Sequence, residues 1–275
     1  MTNDFNQQII DEFRANQGQV AAFDGARLLL LTTKGARTGA SRTTPVGYLP
    51  DGDRLLVIAS AMGQNAHPAW YHNLLAHPRA TVEDGAFTYE ADAVVLEGEE
   101  RDRLFARAVE ADRGWAEYQA RTGRVIPVVA LHPIHAGPPA GPMGEVLKTI
   151  HGAFRRELAL IRKEVAASGP GLGAQLRVNC LTLCQGLHYH HTNEDAGMFP
   201  ALERDHPELA PAMKRLRDEH EVVARLLARL QELLADDDLD HDVLVAEVDT
   251  LATELEAHLD YEEEQLVPIL NGLAR

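Results

Sequence analysis

The chain has 275 residues, 45% hydrophobic and 25% charged, a globular composition that excludes a mainly disordered protein and suits about two domains. A formal net charge of -16 argues against nucleic acid as the main partner, and no apolar run approaches the roughly 20 residues of a transmembrane helix. The polar opening MTNDFNQQIIDEFRANQG has no secretory-signal core, and two cysteines, Cys180 and Cys184, fit a reducing cytoplasm.

In chain order, residues 5–15 are predicted helical and Arg27–Thr33 (RLLLLTT) reads as a strand. Thr43–Leu49 and Arg54–Ser60 are strands joined by a Pro-Asp-Gly-Asp turn. Pro68–Ala76 is a short helix with proline in its first turn. Arg79–Leu96 reads as a hairpin around Asp84-Gly85, Glu99–Arg121 as a helix and Val125–Leu131 as a last strand. Strands without regular βαβ alternation predict a small α+β barrel over residues 1–135.

The segment His135-Ala-Gly-Pro-Pro-Ala-Gly-Pro142 can continue neither a helix nor a central strand. It reads as a semi-rigid linker, 136–143, before a second domain over 144–275. Four apolar seams follow, at alternating steps of four and three: Leu147 to Val165, Leu176 to Glu194, Met213 to Leu234, and Leu244 to Glu262. They predict an all-α, up-down four-helix bundle. This half carries 25 acidic against 13 basic residues and most of the histidines.

Each seam replaces an expected leucine with a histidine: His151, His190, His220 and His258. Glu194 and Glu262 follow two of these by four residues, which stacks imidazole and carboxylate on one helix face. In an up-down bundle all four histidines fall near one end. Buried carboxylates are costly alone, and a pair of cations offsets that cost; mixed imidazole and carboxylate ligands suit iron or manganese. Glu263 is the alternative to Glu262, since one residue of helix phase decides between them. His191 lies beside the seam, as an outer support. His188 falls off it, His206 and His241 fall in turns, and Glu219, Glu221, Asp260 and Glu264 read as a solvated face. The cysteines read as buried apolar thiols.

Residues 144–273 resemble the hemerythrin-like HHE cation-binding domain, through IHGAFRREL, HHTNEDAGMFPAL, DEHEVVARLL and HLDYEEEQLVPIL. The resemblance implies a non-haem di-iron site of His151, His190, Glu194, His220, His258 and Glu262. It departs from the oxygen carriers, which place a second histidine where Leu216 stands and put the last carboxylate five residues after its histidine. An open coordination position, suited to oxygen, peroxide or nitric oxide, is the expectation.

In the first half, TKGARTGASR sets Lys34, Arg37 and Arg42 around two glycines directly after a strand. Such a turn can hold phosphate or carboxylate groups. Ala59-Ser60-Ala61 and HPAWYHN at 67–73 follow, with Trp70 and Tyr71 able to wall a flat ring. No Ser-His-Asp, Walker or GxGxxG pattern is present, which favours cofactor-driven chemistry. With IIDEFRANQGQV, LLLLTTKGARTG, NAHPAWYHNLLAHP and EYQARTGRVIPVVAL, residues 5–133 resemble the deazaflavin-dependent nitroreductase family. That implies an FMN-binding-like split β-barrel using reduced coenzyme F420. FMN and haem are the alternative ligands.

By this resemblance Arg37 and Arg42 contact the acidic tail of the cofactor, Ser60 lies near its ring and the substrate, and Pro68 and Trp70 line its groove, with Lys34, Thr38, Gly39 and Ala61 as further cofactor-binding residues. Tyr118 lines the substrate pocket, and Tyr118 or Ser60 is the expected proton or hydrogen-bond donor to a quinone, nitro or conjugated carbonyl acceptor. Trp115 and Asp112 stand where nitroreducing members carry further tyrosines. The contrasting expectation is an oxygen, nitric oxide or iron sensor whose barrel only holds a cofactor. A third joins the halves, with the iron site reducing oxygen or peroxide. The oligomeric state is left open.

Overall fold

The computed structural model describes residues 2–23, 25–134, 141–168, 172–236 and 239–272. Its contacts divide the chain into two compact units, 1–139 and 140–275. Residues 136–140 of the expected linker lie outside the described residues. No helix among the described residues is long and apolar enough to cross a membrane.

The first unit contains α1 (Thr2–Ala15), β1 (Leu28–Lys34), β2 (Ser41–Asp51), β3 (Arg54–Ile58), α2 (Ala69–Ala76), β4 (Arg79–Glu83), β5 (Thr88–Val95), α3 (Gly98–Ala111), α4 (Gly114–Ala120) and β6 (Val128–Pro133). The strands form a closed antiparallel barrel in the order β1-β2-β3-β6-β5-β4, with β4 returning to pair with β1. The run Leu28–Leu31 is wholly apolar because both faces of β1 are covered. Leu29 and Leu31 join Val57, Val82, Val129 and Leu131 inside, while Leu28 and Leu30 pack under Ile9, Ile10 and Phe13 of α1. The Asp84-Gly85 hairpin joins β4 to β5, and Asp84 Oδ1 accepts from the N–H groups of Ala86 and Phe87.

Two expectations are corrected. The helix expected over Glu99–Arg121 is two helices, because Asp112 is extended (φ -146°) and its carboxylate accepts from the N–H of Gly114 at 2.8 Å. The last strand begins at Val128 rather than Val125; Pro127 has no N–H to pair, and Val125 is exposed.

The second unit contains α5 (Met143–Ser168), α6 (Ala174–Asn193), a π-helical turn (Glu194–Met198), α7 (Phe199–Asp205), α8 (Ala210–Ala235) and α9 (His241–Gly272). All four seams face inward, and the histidine layer interrupts them. A larger apolar cluster (Leu158, Leu183, Leu227, Leu251 and neighbours) lies on one side and a smaller one (Leu147, Phe199, Leu216, Leu266 and neighbours) on the other. The layer is therefore nearer one end but capped, because the second helix continues past Glu194 into α7. The π turn lengthens the buried step to five residues, from Glu194 to Phe199, so both face the interior.

Candidate functional site

In the barrel, the β1–β2 hairpin exposes Arg37, Thr38 and Gly39 in its turn, with Lys34 at the end of β1 and Arg42 at the start of β2. Gly39 has φ +68°, a region that favours glycine, and its N–H donates to the Gly35 carbonyl at 2.8 Å. Among the described residues, the side chains of Lys34, Arg37 and Arg42 have no hydrogen-bond or ion-pair partner. Three unpaired cations on a compact turn attract an anionic group.

This turn is fastened to α2 by Asn73, a residue the sequence did not single out. Its Oδ1 accepts from the N–H of Ala36 at 3.0 Å, and its Nδ2 donates to Thr33 Oγ1 at 3.0 Å. Pro68 caps the start of α2, and Trp70 is buried in the barrel core with Leu74.

Ser60 and Ala61 lie on a turn after β3, where Ala61 (φ +46°), Met62 (φ +53°) and Gly63 (φ +78°) are consecutively left-handed. For non-glycine residues this backbone is strained. Arg124 holds it: its Nη2 donates to the carbonyls of Ser60 (2.8 Å) and Ala59 (3.1 Å), and its Nε to that of Gln64 (3.0 Å). Arg124 Nη1 also meets His67 Nδ1 at 2.9 Å. The turn abuts α4, since a Cβ on Gly63 would come within 3.0 Å of the Tyr118 carbonyl. Tyr118 is half-buried, edge-on to Trp115 at 6.0 Å, with Arg121 over its ring. Arg124, like Asn73, carries no local sequence signal, because its role is to bind distant carbonyls.

In the bundle, His151, His190, Glu194 and Glu262 form one group of potential metal donors, and His191, His220 and His258 a second. The two carboxylates touch both groups. Glu194 is 3.2 Å from His190 Nε2 and 3.6 Å from His220 Nε2. Glu262 is 3.4 Å from His151 Nε2 and 3.7 Å from His258 Nε2. Both oxygens of both glutamates, and the Nε2 atoms of His191, His220 and His258, are buried without a hydrogen-bond partner. Buried polar atoms are almost always paired, so seven orphans converging in one layer fit a missing cation charge.

Glu262 is fully buried in the layer, while Glu263 sits outside it. Glu263 contacts His151 Nδ1 at 3.0 Å and accepts from Arg155 at 2.6 Å. Asp195 contacts His220 Nδ1 at 3.0 Å and Glu219 contacts His258 Nδ1 at 3.1 Å. Each such carboxylate fixes a ring with its Nε2 turned inward. Glu219 is thus not merely solvated, contrary to the sequence expectation. His191 is also inside the layer rather than beside it, stacked on His220 at 4.1 Å. His241 opens α9 and contacts the Val165 carbonyl at 2.9 Å.

Burial and the Glu262 charge push the Glu194 carboxyl up to about 10. Burial and the neighbouring imidazoles pull His190 down to about 3 and His220 down to about 4. His151 goes the other way: burial lowers it, but Glu262 and Glu263 outweigh burial and raise it. The unliganded layer suppresses charge, and a cation would displace the proton on Glu194. Burial pushes the Cys184 thiol up to about 12, which makes it unreactive.

The family model described as F420H(2)-dependent quinone reductase matches residues 6–133, and that of the hemerythrin HHE cation binding domain matches 143–270. An F420H(2)-dependent quinone reductase of Mycobacterium tuberculosis is 40% identical over 106 residues, which are 38% of this chain and 71% of that protein. A second protein of that organism, provisionally named for the same activity, is 36% identical over 105 residues, 38% of this chain and 88% of its own length. A solved F420-H2 dependent reductase is 39% identical, over 38% of this chain and 93% of that one, with a TM-score of 0.36. The chain belongs to the F420H(2)-dependent quinone reductase family through its barrel, and residues 143–270, later in the chain, match the hemerythrin HHE cation binding domain.

Proposed function

We propose that the barrel is an F420-dependent reductase of a quinone-type acceptor, with nitro and conjugated carbonyl compounds as further acceptors, and that the bundle holds two iron ions. The observation that supports the first part is the turn with three unpaired cations, fastened by Asn73 to the helix that carries Trp70. The reduced deazaflavin, when bound, supplies a hydride. Lys34, Arg37 and Arg42 would hold its acidic tail, with the Thr38-Gly39 backbone allowing close approach. Ser60, Ala61, Pro68 and Trp70 would line the groove. The Arg124 clamp keeps the Ser60 turn in one shape before the cofactor arrives, which lowers the ordering cost of binding. Tyr118, beside that turn, would donate a hydrogen bond or a proton to the acceptor oxygen.

The orphaned donors of the bundle support the second part. His151, His190, His220, His258, Glu194 and Glu262 would hold the ions. Iron held so supplies redox and Lewis-acid chemistry toward oxygen, peroxide or nitric oxide. Manganese is the alternative ion. A reducing cytoplasm is the compartment proposed, because neither buried thiol is in a disulfide.

The test mixes reduced coenzyme F420 anaerobically with diferric and with metal-free full-length protein, then adds menadione. Deazaflavin absorbance returning with both forms, only after menadione, supports a self-sufficient reductase. Return of about one equivalent with the diferric form alone, before menadione, makes iron the acceptor. Neither binding nor turnover would leave the barrel as a mere holder and the bundle as a sensor.

A further inference from the structure

Consecutive residues on an α-helix point about 100° apart, so only one of His190 and His191 could face a narrow seam. In the bundle both are turned inward, and they fall into different donor groups. His190 belongs with His151, Glu194 and Glu262, while His191 belongs with His220 and His258. One ring nitrogen from each histidine of the second group lies within 4.8 Å of the others. Two nitrogens opposite each other on one ion, at about 2.1 Å each, would be roughly 4.2 Å apart. His191 is 6% exposed and its Nε2 has no hydrogen-bond partner. Its ring lies flat on His220 (4.1 Å, 13° between planes) and edge-on to His258 at 5.1 Å.

The third helix offers no second imidazole to this group. Leu216, one turn before His220, is fully buried in the smaller apolar cluster. A ring whose only purpose was to fill space would favour an apolar side chain, since an unpaired buried nitrogen costs about 1–3 kcal/mol. The position instead carries an unpaired buried nitrogen on a ring within reach of two other imidazoles, and turning that ring out of its stack on His220 would let all three meet a cation.

We infer that His191 is a seventh metal ligand, joining His220 and His258 on one ion while its neighbour His190 serves the other. This rests on the two-ion reading above and deepens it. The adjacent pair at the end of α6 divides five imidazoles three and two, so the ions have unequal nitrogen content. Imidazole-rich sites hold late first-row divalent ions more tightly than carboxylate-rich ones. The His191 subsite is therefore the tighter for cobalt(II).

The experiment titrates metal-free full-length protein with cobalt(II), read by d–d absorption and by metal content after dialysis, for wild type and His191→Phe. Phenylalanine keeps the stacked ring and removes the nitrogen. Wild type should retain two equivalents, and His191→Phe should retain one, with the other weakened at least tenfold. Exposed His188→Ala should match wild type. Two equivalents at wild-type affinity in His191→Phe would overturn the inference and leave the two-ion reading intact. No cobalt bound by wild type would overturn both. A variant that fails to fold does not end the test, because wild-type cobalt protein should show five hyperfine-shifted imidazole N–H resonances, and four would overturn the inference.

Discussion

Asn73 and Ala36 are 37 positions apart, yet the Asn73 carboxamide oxygen accepts from the Ala36 N–H at 3.0 Å. With the second bond to Thr33, this ties the cationic turn to α2. Asn73→Leu leaves a buried hydroxyl and an N–H unpaired, at about 1–3 kcal/mol. The dissociation constant for F420, measured by its fluorescence, should rise about tenfold while kcat at saturation changes little. Asn73→Asp should be worse, because it adds negative charge beside the anion turn. Equal losses in kcat and affinity would contradict a purely positioning role.

Replacing Arg37 or Arg42 by alanine should weaken F420 binding by about 1.5–3 kcal/mol each, the range for hydrogen bonds to charged groups. Arg79, exposed and paired with Asp92, is the control and should have no effect. Salt should weaken wild type more than either variant. Salt-insensitive binding would remove the electrostatic account.

Tyr118→Phe and Ser60→Ala should lower turnover with menadione, by about 100-fold for whichever side chain transfers the proton. F420 affinity should stay near wild type in both. Unchanged turnover in both variants would reject these residues as donors.

The metal-free bundle should be acid-labile. His190 and His220 are held down to about 3 and about 4 in the fold, against roughly 6.5 when unfolded. Glu194, held up to about 10, keeps one proton that the unfolded chain releases, but below about pH 6 the two histidines take up more than one on unfolding, so stability falls as pH falls from about 6 to 4. The slope is at most about 1.4 kcal/mol per pH unit for each histidine. Thermal unfolding of the metal-free protein at pH 6, 5 and 4 should show a bundle transition that moves to lower temperature. An immobile transition would contradict the neutral-histidine layer.

Glu219→Gln removes the carboxylate that contacts His258 Nδ1 at 3.1 Å, and Asp195→Asn does the same at His220. Each should reduce iron affinity 10- to 100-fold in chelator competition, the usual cost of losing such an outer partner. Glu221→Gln, outside these contacts, should leave affinity unchanged.

The bundle was legible from spacing alone. A leucine seam broken once per helix by histidine shows which face is inside, because helical period fixes direction. The barrel was legible in its strands and in the cationic turn, since a basic cluster after a strand is a local feature. Local patterning failed where a helix changed phase or ended. The π turn after Asn193 carries no compositional mark, and Asp112 breaks a stretch that reads as continuous helix.

The two folds, the four seam histidines with Glu194 and Glu262, and the cationic turn are written in residue type at a fixed local period. Packing was needed to show that Glu262 rather than Glu263 enters the layer. It also decided that His191 joins the layer, that Glu219 steadies His258, and that Asn73 and Arg124 hold the barrel turns. The physical reason is common to all of these. Each depends on helix rotation or on a hydrogen bond between residues far apart in the chain, and a shift of one residue in phase moves a side chain by about 100°, from core to solvent.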